Sequence, residues 1–209
     1  MTTMMNSTIA RMCLVAALAA ALPAVASAEP AAPVALVGAR LGGIVPLDGL
    51  SPFASVGVEL GVVLPAARRR LAIVVAVDYT QPTAAGTEMD PRVAGGSYTW
   101  AITERELAIM PLLVYRATGV KRFTPYVGVG PRLLLLESTV GDDGLPAFLD
   151  TTEVSTKVGV GVPIGAELRA GPGRVTGELL LQYGALDHVA TGDSHTGAVS
   201  LAIGYRLLL

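Results

Sequence analysis

The sequence predicts an all-β fold: an eight-stranded antiparallel up-and-down transmembrane β-barrel preceded by a cleavable signal peptide. Three observations carry that expectation. The first residues read as a leader that is removed, eight later segments alternate apolar and polar side chains, and the connections between them are long and short in turn. Composition agrees. The 209 residues are 52% hydrophobic and only 15% charged, with a mean hydropathy of +0.57, whereas a soluble domain carries about 25% charged residues. Such a chain is too apolar to be disordered. A formal charge of -2 leaves no electrostatic footprint for nucleic acid.

In chain order, Arg11 supplies a basic n-region, Cys13 to Val25 is uncharged and apolar, and Ala26-Ser27-Ala28 fits a small-x-small cleavage site. Residues 1–28 therefore read as a signal peptide, and 29–209 as one barrel domain. An uncleaved anchor is the alternative, but the apolar run is short for a span of about 20 residues. Cys13 lies too far upstream to be a lipoprotein cysteine. Its removal leaves no cysteine, hence no disulfide framework.

Eight strand segments follow: 35–45, 53–64, 70–80, 98–116, 123–137, 152–170, 174–186 and 196–209. In the second, Ala54, Val56, Val58, Leu60, Val62 and Leu64 alternate with Ser55, Gly57, Glu59 and Gly61. In the third, Leu71, Ile73, Val75, Val77 and Tyr79 oppose Arg70, Ala72, Ala76 and Asp78. The sixth sets Val154, Val158, Val160, Val162, Ile164 and Leu168 against Lys157, Glu167, Arg169 and several glycines. The rest follow the same period of two, so each strand has one apolar and one polar face. The apolar faces carry two charges, Arg105 and Glu137, expected above the lipid. The connection 81–97 is read as mobile surface. The short turns hold Arg68, Arg69, Lys121 and Arg122. The long loops hold Asp48, Glu88, Asp90, Asp142, Asp143, Asp150, Asp187 and Asp193 against Arg92.

Such alternation closes either as a soluble barrel with the apolar face inward or as a membrane barrel with it outward. Four features favour the second. An eight-stranded interior is just wide enough for side chains, too narrow for all these Val, Leu and Ile residues. Most strand glycines lie on the polar face, where they would leave room for Arg and Glu. Tyr79, Tyr115, Phe123, Tyr183 and Tyr205 lie near strand ends on the apolar face, where girdles form. Every segment reaches the about 9–11 residues a tilted span needs.

The segment Phe123-Thr124-Pro125-Tyr126-Val127-Gly128-Val129-Gly130 and the terminal alternation Val199, Leu201, Ile203, Tyr205, Leu207, Leu209 resemble those of the small eight-stranded outer membrane barrels of Gram-negative bacteria, the group of the OmpA barrel domain, OmpX and OmpW. The resemblance covers the whole chain after the leader. It implies a bacterial outer membrane location with periplasmic termini, and partners in outer membrane lipids, lipopolysaccharide and the barrel assembly machinery. It leaves room for an extracellular ligand at the long loops. The family usually ends in Phe or Trp where this chain has Leu209.

The polar constellation is the set of lumen charges Arg40, Glu59, Arg132, Glu167, Arg169, Glu178 and Arg206, with Arg174 beside them, expected to form a structural network because buried charges must be paired. A gated pore is the alternative. His188 and His195 have no recognised metal spacing. Adjacent Ser194 and His195 would point to opposite faces, which argues against a lipid A-modifying enzyme. No catalytic, cofactor or metal residue is assigned. The expected role is non-enzymatic: envelope integrity or adhesion. The alternatives are a narrow channel or transporter of small hydrophobic molecules, and a soluble periplasmic lipocalin-like ligand-binding barrel. From the face assignment, Val75→Arg should block insertion and Gly161→Ser should be tolerated.

Overall fold

A computed structural model describes residues 34–92, 95–118, 122–141, 151–185 and 195–209. The leader and its cleavage site, Lys121, Asp142, Asp143, Asp150, Asp187, His188, Asp193 and Ser194 lie outside the described residues.

The strands are β1 (Val34–Pro46), β2 (Phe53–Val63), β3 (Leu71–Thr80), β4 (Thr83–Met89), β5 (Ser97–Arg116), β6 (Phe123–Gly141), β7 (Thr151–Ala170), β8 (Gly173–Gly184) and β9 (Ala198–Leu208). Each barrel strand pairs antiparallel with its neighbours in sequence. β3 pairs with β5, and β1 pairs with both β2 and β9, so eight strands close into a ring. Closure leaves no barrel edge unpaired. Four prolines, Pro111, Pro125, Pro131 and Pro163, sit inside barrel strands, and Pro46 ends β1. They cannot donate to the ladder, and the β5–β6 register is interrupted between Ile109↔Leu133 and Leu113↔Val129, where Pro111 and Pro131 face each other.

The connection 81–97 differs from the expectation of a mobile loop. Thr83–Met89 pairs residue for residue with Ser97–Thr103. It extends β3 past a break at Gln81-Pro82 and makes a hairpin that stands above the barrel. The strand Thr-Ala-Ala-Gly-Thr-Glu-Met has no branched apolar alternation of its own. Its β-structure comes from β5, whose Trp100 lies so close to Gly86 that a side chain there would meet the indole ring.

At the opposite end the turns are tight. Gly171-Pro172 joins β7 to β8 with Gly171 at φ +58°, as a two-residue turn with positive φ at its first central position requires. Between β2 and β3 lies one short turn, α1 (Ala66–Arg69), in which Arg68 and Arg69 take φ of 57° and 60°. This left-handed conformation costs roughly 1–2 kcal/mol for each residue with a Cβ.

The faces are as the alternation requires. Val56, Val58, Leu60, Ile73, Val75, Leu113, Val129, Val158, Ile164, Leu201 and Ile203 are all exposed on the outer wall. Phe53, Tyr79 and Tyr183 are exposed towards the loop end, and Tyr115, Phe123 and Tyr205 towards the turn end. The interior is more apolar than the strand pattern suggests. Leu36, Val63, Ala72, Val74, Ala76, Met110, Leu112, Val114, Tyr126 and Leu180 pack together inside.

Candidate functional site

The lumen arginines and carboxylates come from strands far apart in sequence, brought together by closure. Arg40 grips Asp78 with two parallel bonds, Nε to Oδ1 at 2.9 Å and Nη2 to Oδ2 at 2.6 Å. It also donates to Glu178 at 2.5 Å. Arg206 donates from Nε and Nη2 to Glu59 and from Nη1 to Glu167 at 3.2 Å. Its guanidinium lies 4.6 Å from the Tyr126 ring centre, within cation–π range. Tyr126 in turn donates its hydroxyl to Glu178 at 2.7 Å.

Glu167 is the hub. Its side chain is fully buried and takes Arg116 at 2.5 and 3.2 Å, Arg206, and Arg174 at 3.4 Å. Arg132 donates to Glu106 and Gln182. Buried charges survive only when paired and hydrogen-bonded. Here Arg40, Arg116, Arg132, Arg174 and Arg206 face Glu59, Asp78, Glu106, Glu167 and Glu178.

Of the residues expected from sequence, Arg40, Glu59, Arg132, Glu167, Glu178 and Arg206 lie in this network. Arg169 does not join it. It is exposed at the end of β7 and makes no ion pair among the described residues, because the strand has already reached the mouth. Asp78, Glu106, Arg116 and Gln182 belong to the network and were not singled out. Their signal was parity: each lies two, four or more even steps along its strand from another inward residue.

Glycines give the charges room. A Cβ at Gly38 would meet the Glu59 side chain, one at Gly57 would lie 3.0 Å from Arg40 Nε, and one at Gly165 would lie 2.6 Å from the Tyr126 hydroxyl. Two lumen cavities bounded by described residues are small. A cavity of about 20 Å³ lies among Arg40, Asp78, Arg132 and Glu178. Another of about 10 Å³ lies beneath the loop-end mouth, where Leu50 is buried beside Glu104 and Thr196. Each is about the size of one water molecule.

At the loop end, β4, β5, β6 and β7 continue as a sheet beyond the barrel. The register aligns Thr83, Thr103, Thr139 and Thr152 across the four strands. One step below, Arg105 faces Glu137 and donates to it at 2.8 Å. Both remain about half-exposed, at 56% and 43%, on the outward face beside Tyr79 and Leu107. At the tip, Arg92 clips Asp90 through its backbone N–H and its guanidinium, holding the Asp90 carboxyl down at about 2. His195 accepts the Gly197 N–H on Nδ1 at 3.1 Å and lies 5.8 Å from the Tyr183 ring, a local structural arrangement. No three His, Cys, Asp or Glu side chains group as a metal site among the described residues.

The architecture now has a counterpart among known structures. Neisserial surface protein A aligns over 87% of this chain and all of its own, with a TM-score of 0.52 and 19% identity. The fold is that of the small eight-stranded outer membrane barrels. A major outer membrane protein from Thermus thermophilus aligns over 84% of this chain and 99% of its own, with a TM-score of 0.50 and 14% identity. No family model and no curated protein matches the sequence.

Proposed function

We propose that this protein is a lipid-embedded, internally plugged barrel of a bacterial outer membrane. Its role is non-enzymatic, in envelope structure or attachment, through the sheet it raises at the loop end. One observation carries the reading: the barrel is turned inside out relative to a soluble protein. Its outer wall is a continuous aliphatic band between aromatic ends, while its charges are gathered inside and paired. An exposed apolar wall of this extent needs a partner, and an acyl-chain bilayer is the one that surrounds a closed barrel on all sides. The apolar wall argues equally against a lipocalin-like ligand-binding barrel.

On this reading the start of β1 at Val34 and the C-terminal Leu209 lie at the turn end and face the periplasm, and the acidic tip with Asp90 and Glu88 faces outward. The Neisserial protein with the same fold is called a surface protein, and surface exposure of the loop-end sheet is proposed here too. Cavities of about 20 and 10 Å³ support a sealed lumen over a channel.

Membrane fractionation followed by gels of boiled and unboiled protein tests the reading. Recovery in the outer membrane with a mobility shift on heating is the expected result. Release by salt or alkali without detergent would overturn it. In planar bilayers the reconstituted protein should give no discrete conductance steps, and regular steps would restore the channel.

A further inference from the structure

We propose that the turn-end rim is a docking surface for the anionic phosphodiester headgroups of phospholipids in the leaflet that surrounds it. The proposal rests on the reading that the barrel spans a bilayer. Of the described arginines, Arg40, Arg92, Arg105, Arg116, Arg132, Arg174 and Arg206 each have a carboxylate partner. Arg68, Arg69, Arg70, Arg122 and Arg169 have none among the described residues, and all five lie at the turn end. Arg68, Arg69, Arg122 and Arg169 are exposed. Arg70 Nε is shielded and has no hydrogen-bond partner among the described residues, as is also true of Arg132 Nε in the lumen.

Strand register sharpens the imbalance. Arg169 stands opposite Arg174, and Arg174 opposite Arg206, a row of like charges that destabilises a sheet unless anions intervene. Glu167 answers Arg174 and Arg206. Nothing among the described residues answers Arg169. The unpaired arginines sit at two separate places on the rim: the β2–β3 turn, and the junction where β6 begins beside the end of β7, with the Arg169 N–H donating to the Arg122 carbonyl at 3.0 Å. One small anion cannot reach them all, whereas headgroups surround the whole circumference. Tyr115, Phe123 and Tyr205, exposed just inside the rim, set it at the depth where lipid and water meet. A guanidinium takes a phosphate through two parallel bonds, and each basic side chain near an anionic lipid surface strengthens binding about fivefold.

The test uses the full chain in nanodiscs of mixed phosphatidylcholine and phosphatidylglycerol, with native mass spectrometry counting the lipids each barrel retains. The comparison is a variant carrying R68N, R69N, R122Q and R169Q, whose folding is checked by the heat-induced mobility shift. The wild type should retain phosphatidylglycerol over phosphatidylcholine by about tenfold or more, falling in high salt, and the folded variant should lose most of that preference. Equal retention by the two proteins overturns the rim proposal and leaves the lipid-facing reading intact. Displacement of the preference by inorganic phosphate would assign the rim to a soluble anion and overturn the lipid assignment. Failure of the wild type to enter either disc overturns both readings.

Discussion

Replacing Glu167 with leucine is the sharpest test of the lumen network. Three arginines converge on this buried carboxylate, but they depend on it unequally. Arg116 is 4% exposed and has Glu167 as its ion-pair partner. Arg206 keeps Glu59 and Glu178. Arg174 is 26% exposed and keeps Thr124 at 3.0 Å. The cost therefore centres on Arg116, a buried guanidinium left without its counter-charge. Breaking one buried pair this way costs about 3–5 kcal/mol. The loss at Arg174, partly solvated, adds less than about 1 kcal/mol. Replacing both partners, with Arg116→Met added, removes the stranded charge. It should recover most of the loss, leaving about 1–3 kcal/mol for the Arg206 donor that Glu167 no longer accepts. The assay is denaturant unfolding of the refolded barrel, followed by the fraction that keeps the mobility of the folded form and analysed as a double-mutant cycle. A single variant within about 1 kcal/mol of wild type would refute the reasoning. So would a double variant as unstable as the single.

Three further outcomes follow. Val75 is exposed midway along β3 on the outer wall, and Val75→Arg should cost about 2–4 kcal/mol of insertion, against about 0–1 kcal/mol for Thr103→Arg above the lipid band; equal folded fractions in vesicles would contradict the assigned depths. A side chain at Gly165 meets the Gly177 carbonyl and the Tyr126 ring, both held in place, while one at Gly161 meets the flexible end of Met110. Gly165→Ala should therefore cost about 1–3 kcal/mol and Gly161→Ala less, a contrast that unfolding midpoints would reveal; Gly161→Ser is tolerated only as far as Met110 moves. At the hairpin tip the Asp90 carboxyl is held at about 2 by hydrogen bonds from Arg92, below its ordinary 3.8. Because the folded value is the lower one, the clip is fully formed above the ordinary carboxylate range and is lost as pH falls through about 2. Carbon NMR of the carboxyl should place its midpoint there, and Arg92→Ala, which removes the guanidinium but keeps the backbone N–H, should raise it part of the way towards the ordinary range.

The faces of the barrel were readable because a period of two needs only neighbouring residues. Val56, Val58 and Leu60 against Gly57 and Glu59 state which wall is apolar before any strand is placed. β4 was not readable, since Thr83–Met89 lacks that contrast and becomes a strand by pairing with β5 under Trp100. Arg169 and Arg206 look alike in the pattern. Their fates differ because Arg169 stands at the mouth of the barrel while Arg206 reaches inward to Glu59 and Glu167.

By itself the sequence determined that this chain is built of strands, how many close the ring, and which way each side chain points. These are local properties, fixed by alternation and by the residues that break it. Which charge answers which was decided only by tertiary structure. Arg206 and Glu59 are 147 residues apart, and Arg40 and Glu178 are 138 apart. Their meeting depends on the register of every strand between them and on closure of the barrel, which turns a parity shared by distant residues into contact across a lumen too narrow for any of them to remain alone.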